Sequence, residues 1–218
     1  MTTPILPPTP SASDYTEAKL NYPDIFAQSD PFVLFAQWME EAGQTEVNDP
    51  HAMSLATVDS SGMPDVRIVL LKDFDARGFV FYTNAASAKG EQLQDNGQAA
   101  LCFHWKTLRR QIRIRGTAKP VSAVESDTYF QSRARGSRIG AIASDQSAEL
   151  ESRVVLEDRI THLTQDYKGR DIPRPVHWHG WRVAPRKIEF WRNRPYRLHD
   201  RLQFSAVQDG WTRRRLYP

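Results

Sequence analysis

The chain has 218 residues, 40% of them apolar and 25% charged, with a formal net charge of +3. That is enough sequence for one well-buried domain, and the composition is that of an ordinary globular protein rather than a disordered or fibrous one. No apolar run nears the ~20 residues of a membrane helix, and the Pro- and Thr-rich start lacks a basic segment followed by an apolar one, which argues against a signal peptide.

The positive charge is unevenly spread. No arginine precedes Arg67, and most basic groups are arginine. Arginine grips phosphate and carboxylate bidentately, so small phosphorylated ligands and nucleic acid are both candidate partners. Cys102 is the only cysteine, in the apolar run Ala99-Ala100-Leu101-Cys102-Phe103, and reads as core filler in a reducing, cytoplasmic setting.

Residues 1–28 carry prolines and small polar residues and read as a flexible arm, leaving 29–218 as a single domain. Asp30-Pro31 is an N-cap followed by Pro at the first helical position. Phe32, Leu34, Phe35, Trp38 and Met39 then form a helical apolar face ending near Gly43. Short strands follow at Met53–Asp59, Val66–Lys72 and Phe79–Thr83, joined by the turns Ser60-Ser61-Gly62 and Asp75-Ala76-Arg77-Gly78. Such a meander favours an antiparallel barrel.

Ser87 caps a helix running to about Asp95, stopped by Asn96-Gly97. Ala99–Trp105 and Gln111–Pro120 form the next strand pair, with Gln111, Arg113 and Arg115 on one face and Ile112 and Ile114 on the other. Ser122–Arg133 is a helix opened by the capping pattern Ser122-x-x-Glu125. A short helix over Ser137–Ala143 follows. Ala148–Tyr167 reads as a long amphipathic helix with Leu150, Val154, Leu156, Ile160 and Leu163 inward. Trp181–Trp191, Leu198–Val207 and Trp211–Tyr217 are the late strands. The fold class is therefore mainly β with peripheral helices.

Several segments carry chemistry. On a strand, residues two apart share a face, so Arg197, His199 and Arg201 should form one row: two fixed cations and a titratable ring. Arg67 and Lys72 bracket an apolar strand. Ser87 and Lys89 open a helix, whose free N–H groups attract phosphate. Tyr129 and Arg133 share a helix face, with Ser137 just beyond, as a phosphate clamp would require. His177-x-His179 has no carboxylate or cysteine at ligand spacing, so no metal is expected. Arg213-Arg214-Arg215 lacks interleaved aromatics, which argues against nucleic acid. The chain has neither a P-loop nor a Gly-x-Gly-x-x-Gly signature.

Taken in order, Arg67-Ile-Val-Leu-Leu-Lys72, Gly78-Phe-Val-Phe-Tyr-Thr-Asn84, Gln146-Ser147, Ile188-Glu-Phe-Trp191, Arg197-Leu-His-Asp-Arg201 and Arg215-Leu-Tyr-Pro218 resemble the pyridoxamine 5′-phosphate oxidase family. The resemblance spans about Asp30 to Pro218. It implies a split-barrel homodimer that holds FMN at the subunit interface and oxidises a phosphorylated B6 vitamer with O2. It further implies FMN contacts from Arg67, Ile68, Val69, Leu70, Leu71, Lys72, Tyr82, Thr83, Lys89, Gln111, Gln146, Ser147, Trp191 and Arg201. Substrate phosphate would fall to Lys72, Tyr129, Arg133 and Ser137. Arg197 and His199 would face the pyridine ring and its reacting carbon, with Asp49 nearby.

The chain departs from the family pattern at Ala88, where a second cation is usual, and at Ala134 and Ile142, where proline and tryptophan are common. Its arm holds Tyr15, a candidate lid residue, but no arginine. Two other readings fit parts of the pattern: an FMN-dependent oxidase of a phenazine precursor, and a non-catalytic flavin- or pyridoxal-phosphate-binding protein.

Overall fold

The computed structural model describes residues 24–218. The chain groups into two compact units. The larger comprises His51–Phe103 and Arg113–Arg186; the smaller comprises residues 24–50, His104–Ile112 and Lys187–Pro218. The expected lid residue Tyr15, and most of the expected arm, lie outside the described residues.

In the larger unit the strands are β1 (Ala52–Val58), β2 (Pro64–Leu70), β3 (Asp73–Asp75) and β4 (Gly78–Asn84), with parts of β5 (Gln98–Trp105), β6 (Arg110–Pro120) and β7 (Trp178–Arg192). Their order is β2-β1-β5-β6-β7-β4-β3. β1 pairs antiparallel with β2 and β5, and β4 with β3 and β7.

Turn chemistry sets the hairpins. Asp59 accepts hydrogen bonds from the N–H groups of Ser61 (2.8 Å) and Met63 (2.9 Å), and Gly62 takes a φ of 88°. The side-chain bonds pre-form the turn, and the left-handed backbone calls for glycine. β4 is almost wholly buried, with Phe79 and Phe81 at 0% exposure.

Helices α1 (Pro31–Thr45), α2 (Ala88–Asn96), α3 (Ala123–Ser132), α4 (Arg135–Ala143) and α5 (Arg153–Asp166) follow the expected order. α1 belongs to the smaller unit and the other four to the larger. Asp30 caps α1, Ser87 caps α2, and Gly97 ends α2 in the left-handed region at φ 64°. Ser122 and Glu125 form the capping box of α3, each satisfying the other's backbone N–H.

In the smaller unit, β8 (Asp200–Val207) pairs with Lys187–Arg192 of β7, and β9 (Gly210–Arg215) pairs with β8. α1 buries Leu34, Phe35 and Trp38, and Trp38 meets Phe190 edge-on at 5.3 Å. Residues 25–27, expected in the arm, form an ordered 3-10 turn with Ile25 buried and Asp24 as its cap.

Two expectations need correction. The long helix starts at Arg153 rather than Ala148, and none of its residues is fully buried. Leu150, Val154 and Ile160 are exposed rather than inward. The row of Arg197, His199 and Arg201 on one strand does not form. Pro195–Arg197 is a 3-10 turn, Tyr196 and Arg197 have φ of 56° and 62°, and β8 begins only at Asp200. Proline has no N–H for the ladder, and the positive φ values bend the chain out of strand geometry.

Candidate active site

The larger unit contains a cavity of about 720 Å³, within the usual range for small-molecule sites. Eleven residues singled out from the sequence line it. The end of β2 supplies Ile68, Val69 and Leu70, with Lys72 just beyond. The end of β4 supplies Tyr82 and Thr83, and α2 supplies Lys89. Tyr129, Arg133 and Ser137 come from α3 and α4, and Gln146 from the loop that follows. Asn84, Ala134, Gly140, Ala141, Ser144 and Trp178 also line it and were not anticipated as site residues. Two signals could have revealed some of them: Asn84 lies two residues from Tyr82 on one strand face, and Trp178 opens a strand that carries Gly180.

An aromatic wall stands on one side. Tyr82 stacks on Tyr129 at 4.0 Å and on Trp178 at 5.4 Å. Gly180 makes this possible: a Cβ there would stand 2.6 Å from the Tyr82 ring. Arg133, the C-cap of α3, lies over the Trp178 ring at 4.7 Å. Its Nη1 is buried with no hydrogen-bond partner, and burial pulls its pKa below the ordinary guanidinium value. A desolvated cation with an open donor is costly unless an anion completes it. Burial raises the hydroxyl pKa of both Tyr82 and Tyr129, so both remain neutral donors.

A second cationic cluster surrounds Lys89. Its ammonium donates to Ser87 Oγ (2.9 Å) and to Gln146 Oε1 (3.0 Å), and Thr83 Oγ1 donates to the same oxygen (3.3 Å). Burial, then the charge of Arg67, lower the Lys89 pKa to about 8. Arg67 is held by Asp65 (2.5 Å), Thr57 (2.5 Å) and the Leu55 carbonyl (3.1 Å). It does not line the cavity, nor does Leu71, which is buried at 6% exposure. Ser147, at φ 77°, lines a smaller neighbouring cavity of about 440 Å³ with Asn84, Ala88 and His177.

The smaller unit holds the other anticipated residues. Trp191 and His199 rings lie 4.5 Å apart. The Arg194 N–H donates to His199 Nδ1 (3.2 Å), which places the neutral ring's proton on Nε2. Burial, then the charge of Arg197, lower the His199 pKa. Arg201 donates to Glu189 (2.9 Å) and to the Tyr217 carbonyl (2.9 Å). Asp200 ties Arg192 (2.7 Å) and Arg194 (2.7 Å) together. Gln111 is half-buried on β6, and Asp49 sits exposed at φ 44° before β1.

Among the described residues, no group of three or more His, Cys, Asp or Glu could hold a metal, and no helix is long and apolar enough to cross a membrane.

The pyridoxamine 5′-phosphate oxidase family model matches residues 39–166, and the pyridoxine 5′-phosphate oxidase C-terminal dimerisation region matches residues 178–218. A pyridoxine/pyridoxamine 5′-phosphate oxidase of Caulobacter vibrioides is 55% identical over 216 residues, covering 98% of this chain and 97% of that protein. Its counterpart in Maricaulis maris is 57% identical, covering 98% of each. The crystal structure of PhzG from Burkholderia lata, solved with tetrahydrophenazine-1-carboxylic acid, is 32% identical with a TM-score of 0.83, covering 88% of this chain and 94% of that one. An FMN-binding protein from Nostoc punctiforme, 16% identical with a TM-score of 0.69 over 86% of this chain and 97% of that one, shares the fold. The expected split-barrel fold is thus the observed one, and the chain belongs to the pyridoxine/pyridoxamine 5′-phosphate oxidase family.

Proposed function

We propose that the chain converts pyridoxamine 5′-phosphate or pyridoxine 5′-phosphate to pyridoxal 5′-phosphate, using FMN and O2 and releasing H2O2. The observation that carries this reading is Arg133: a half-buried guanidinium over Trp178, whose buried Nη1 is an open donor, in a cavity that Lys72, Tyr129 and Ser137 also line. That donor set suits a phosphate dianion.

The cavity residues also suit FMN. Lys89, with Ser87 and Gln146, offers a half-desolvated cation for its phosphate, and Ile68, Val69 and Leu70 offer an apolar strand end for a flat ring. When bound, the flavin supplies a two-electron acceptor that oxygen regenerates; the protein supplies position and charge.

Lys72, Tyr129, Arg133 and Ser137 hold the substrate phosphate, and that binding energy aligns the reacting end of the molecule. Arg197 orients the substrate and stabilises charge at its reacting carbon. His199 is neutral at pH 7, with Nε2–H as its free donor, and fixes the pyridine ring through an acceptor on it. By the family resemblance, Gln111, Trp191 and Arg201 are further flavin-binding candidates, and Asp49 is a further candidate for the reacting centre.

The working unit is a cytoplasmic homodimer. The matched dimerisation region supports the homodimer, as do Met63, Val66 and Ile68, exposed on or beside the edge strand β2. An apolar edge strand invites a partner.

The test is the visible spectrum of the purified protein, followed by pyridoxamine 5′-phosphate under anaerobic conditions. A yellow protein that bleaches, then releases peroxide on admission of air, is expected. A colourless protein that refuses FMN, or a yellow one that stays oxidised, overturns the proposal. The similarity to PhzG favours one rival, a phenazine-type substrate. It would be read from bleaching by a non-phosphorylated dihydroaromatic acid but not by the B6 vitamer.

A further inference from the structure

Arg182 lies on β7 with its side chain only 12% exposed, and it does not line the cavity. One Nη donates to Asp75 (3.0 Å) and the other to Glu125 Oε1 (2.7 Å). Glu125 is also the capping-box residue of α3. Its second oxygen accepts from the Ser122 N–H (3.1 Å) and Ser122 Oγ (2.9 Å). These bonds, those from Ser122 first, hold its carboxyl below the usual range. A single carboxylate therefore joins the first turn of α3 to the sheet.

Two further bonds fasten the same turn. The Gly180 N–H donates to the buried Ser126 Oγ (3.2 Å), and the Val121 N–H donates to the Gly180 carbonyl (2.9 Å). The other end of α3 carries Tyr129 and Arg133. Eight residues of helix separate Glu125 from Arg133, about 12 Å at 1.5 Å per residue. A tilt of about 5° at the anchored end moves the far end by roughly 1 Å, a displacement that can cost a positioned group most of its effect.

We propose that Arg182 is a positioning residue: by clamping the Glu125 end of α3 to β7, it sets where Tyr129 and Arg133 meet the substrate phosphate. This rests on the reading of Arg133 and Tyr129 given under Proposed function. Arg77, in the exposed turn between β3 and β4, also stands 3.9 Å from Glu125 Oε1, so Arg182 at 2.7 Å makes the shorter link, and the one from within the sheet.

The experiment compares Arg182→Gln, Arg182→Lys, Arg133→Ala and the double variant Arg182→Gln/Arg133→Ala as FMN-loaded enzymes, by steady-state kinetics with pyridoxamine 5′-phosphate. Arg182→Gln is expected to raise KM about five- to tenfold, with kcat within about twofold and flavin content unchanged. Arg182→Lys, which keeps the charge, should recover most of that loss. Because Arg182 acts through Arg133 and Tyr129, Arg182→Gln should add clearly less in the Arg133→Ala background than it does alone.

A steep KM rise in Arg133→Ala with none in Arg182→Gln overturns the positioning role and leaves the phosphate reading standing. An unchanged KM in Arg133→Ala overturns the phosphate reading itself. Parallel losses of kcat, flavin and melting temperature in both Arg182 variants would make Arg182 a structural residue only. Should Arg182→Gln fail to fold, Glu125→Gln weakens the same clamp, and an unchanged KM there overturns the inference.

Discussion

Lys89 gives the account a pH dependence that can be worked out in advance. In the ligand-free protein its pKa is about 8, lowered by burial and then by Arg67. A phosphate dianion bound beside it favours the ammonium, so binding raises that value. Near pH 7 the lysine is mostly charged in both states and the phosphate is mostly dianionic, so affinity for flavin mononucleotide is near its maximum. Above pH 8 the free protein must take up a proton to bind. At pH 9 about one free molecule in eleven carries the charge, so affinity falls about tenfold; at pH 10 it falls about a hundredfold.

Flavin fluorescence quenching on the apoprotein between pH 7 and 10 measures this. Riboflavin, which lacks the phosphate, should show no such slope, and Lys89→Gln should bind weakly with a flat profile. Equal alkaline slopes for both flavins, or a slope that survives in Lys89→Gln, would refute the assignment of Lys89 to the flavin phosphate.

Asp200→Asn removes the carboxylate that Arg192 and Arg194 share; Arg192 is only 2% exposed. Stability should fall by about 3 kcal/mol in urea denaturation at pH 7. Burial alone would raise the Asp200 carboxyl, but the two arginines outweigh it and hold it low. The stability it contributes is therefore complete above its unfolded value near 4 and is lost as pH falls through the lower folded one. The variant should lack that part of the acid slope. Burial, then the charge of Arg197, lower the His199 pKa, so the acid limb of kcat/KM should lie at lower pH than a free imidazole would put it. That acid limb should vanish in His199→Asn. Val66→Glu places a charge on the exposed edge strand β2 and should shift the solution mass by light scattering from dimer towards monomer.

Local rules carried much of the structure. Asp30, Ser87 and Ser122 cap helices as their spacing required, and the alternation of Ile112 and Ile114 with Arg113 and Arg115 became a buried and an exposed face. The cavity was legible because most of its donors sit at strand ends or near helix ends, where side-chain direction follows from position. The Arg197–Arg201 segment was not legible. Its turn depends on Tyr196 and Arg197 adopting positive φ, which bulky residues seldom do and which no local pattern announces. Periodicity also identified the apolar stripe of α5, but periodicity reports which residues share a face, not what covers it. Val154 and Ile160 are uncovered in the single chain. Arg182 was missed because its partners, Asp75 and Glu125, are 107 and 57 residues away in sequence.

The most direct measurement is the KM for pyridoxamine 5′-phosphate in FMN-loaded Arg133→Ala. Charge-assisted hydrogen bonds contribute about 1.5–3 kcal/mol, so losing this guanidinium should raise KM roughly ten- to hundredfold and leave flavin content and kcat near those of the parent. A KM equal to the parent's would contradict the claim that this half-buried cation receives the substrate's phosphate.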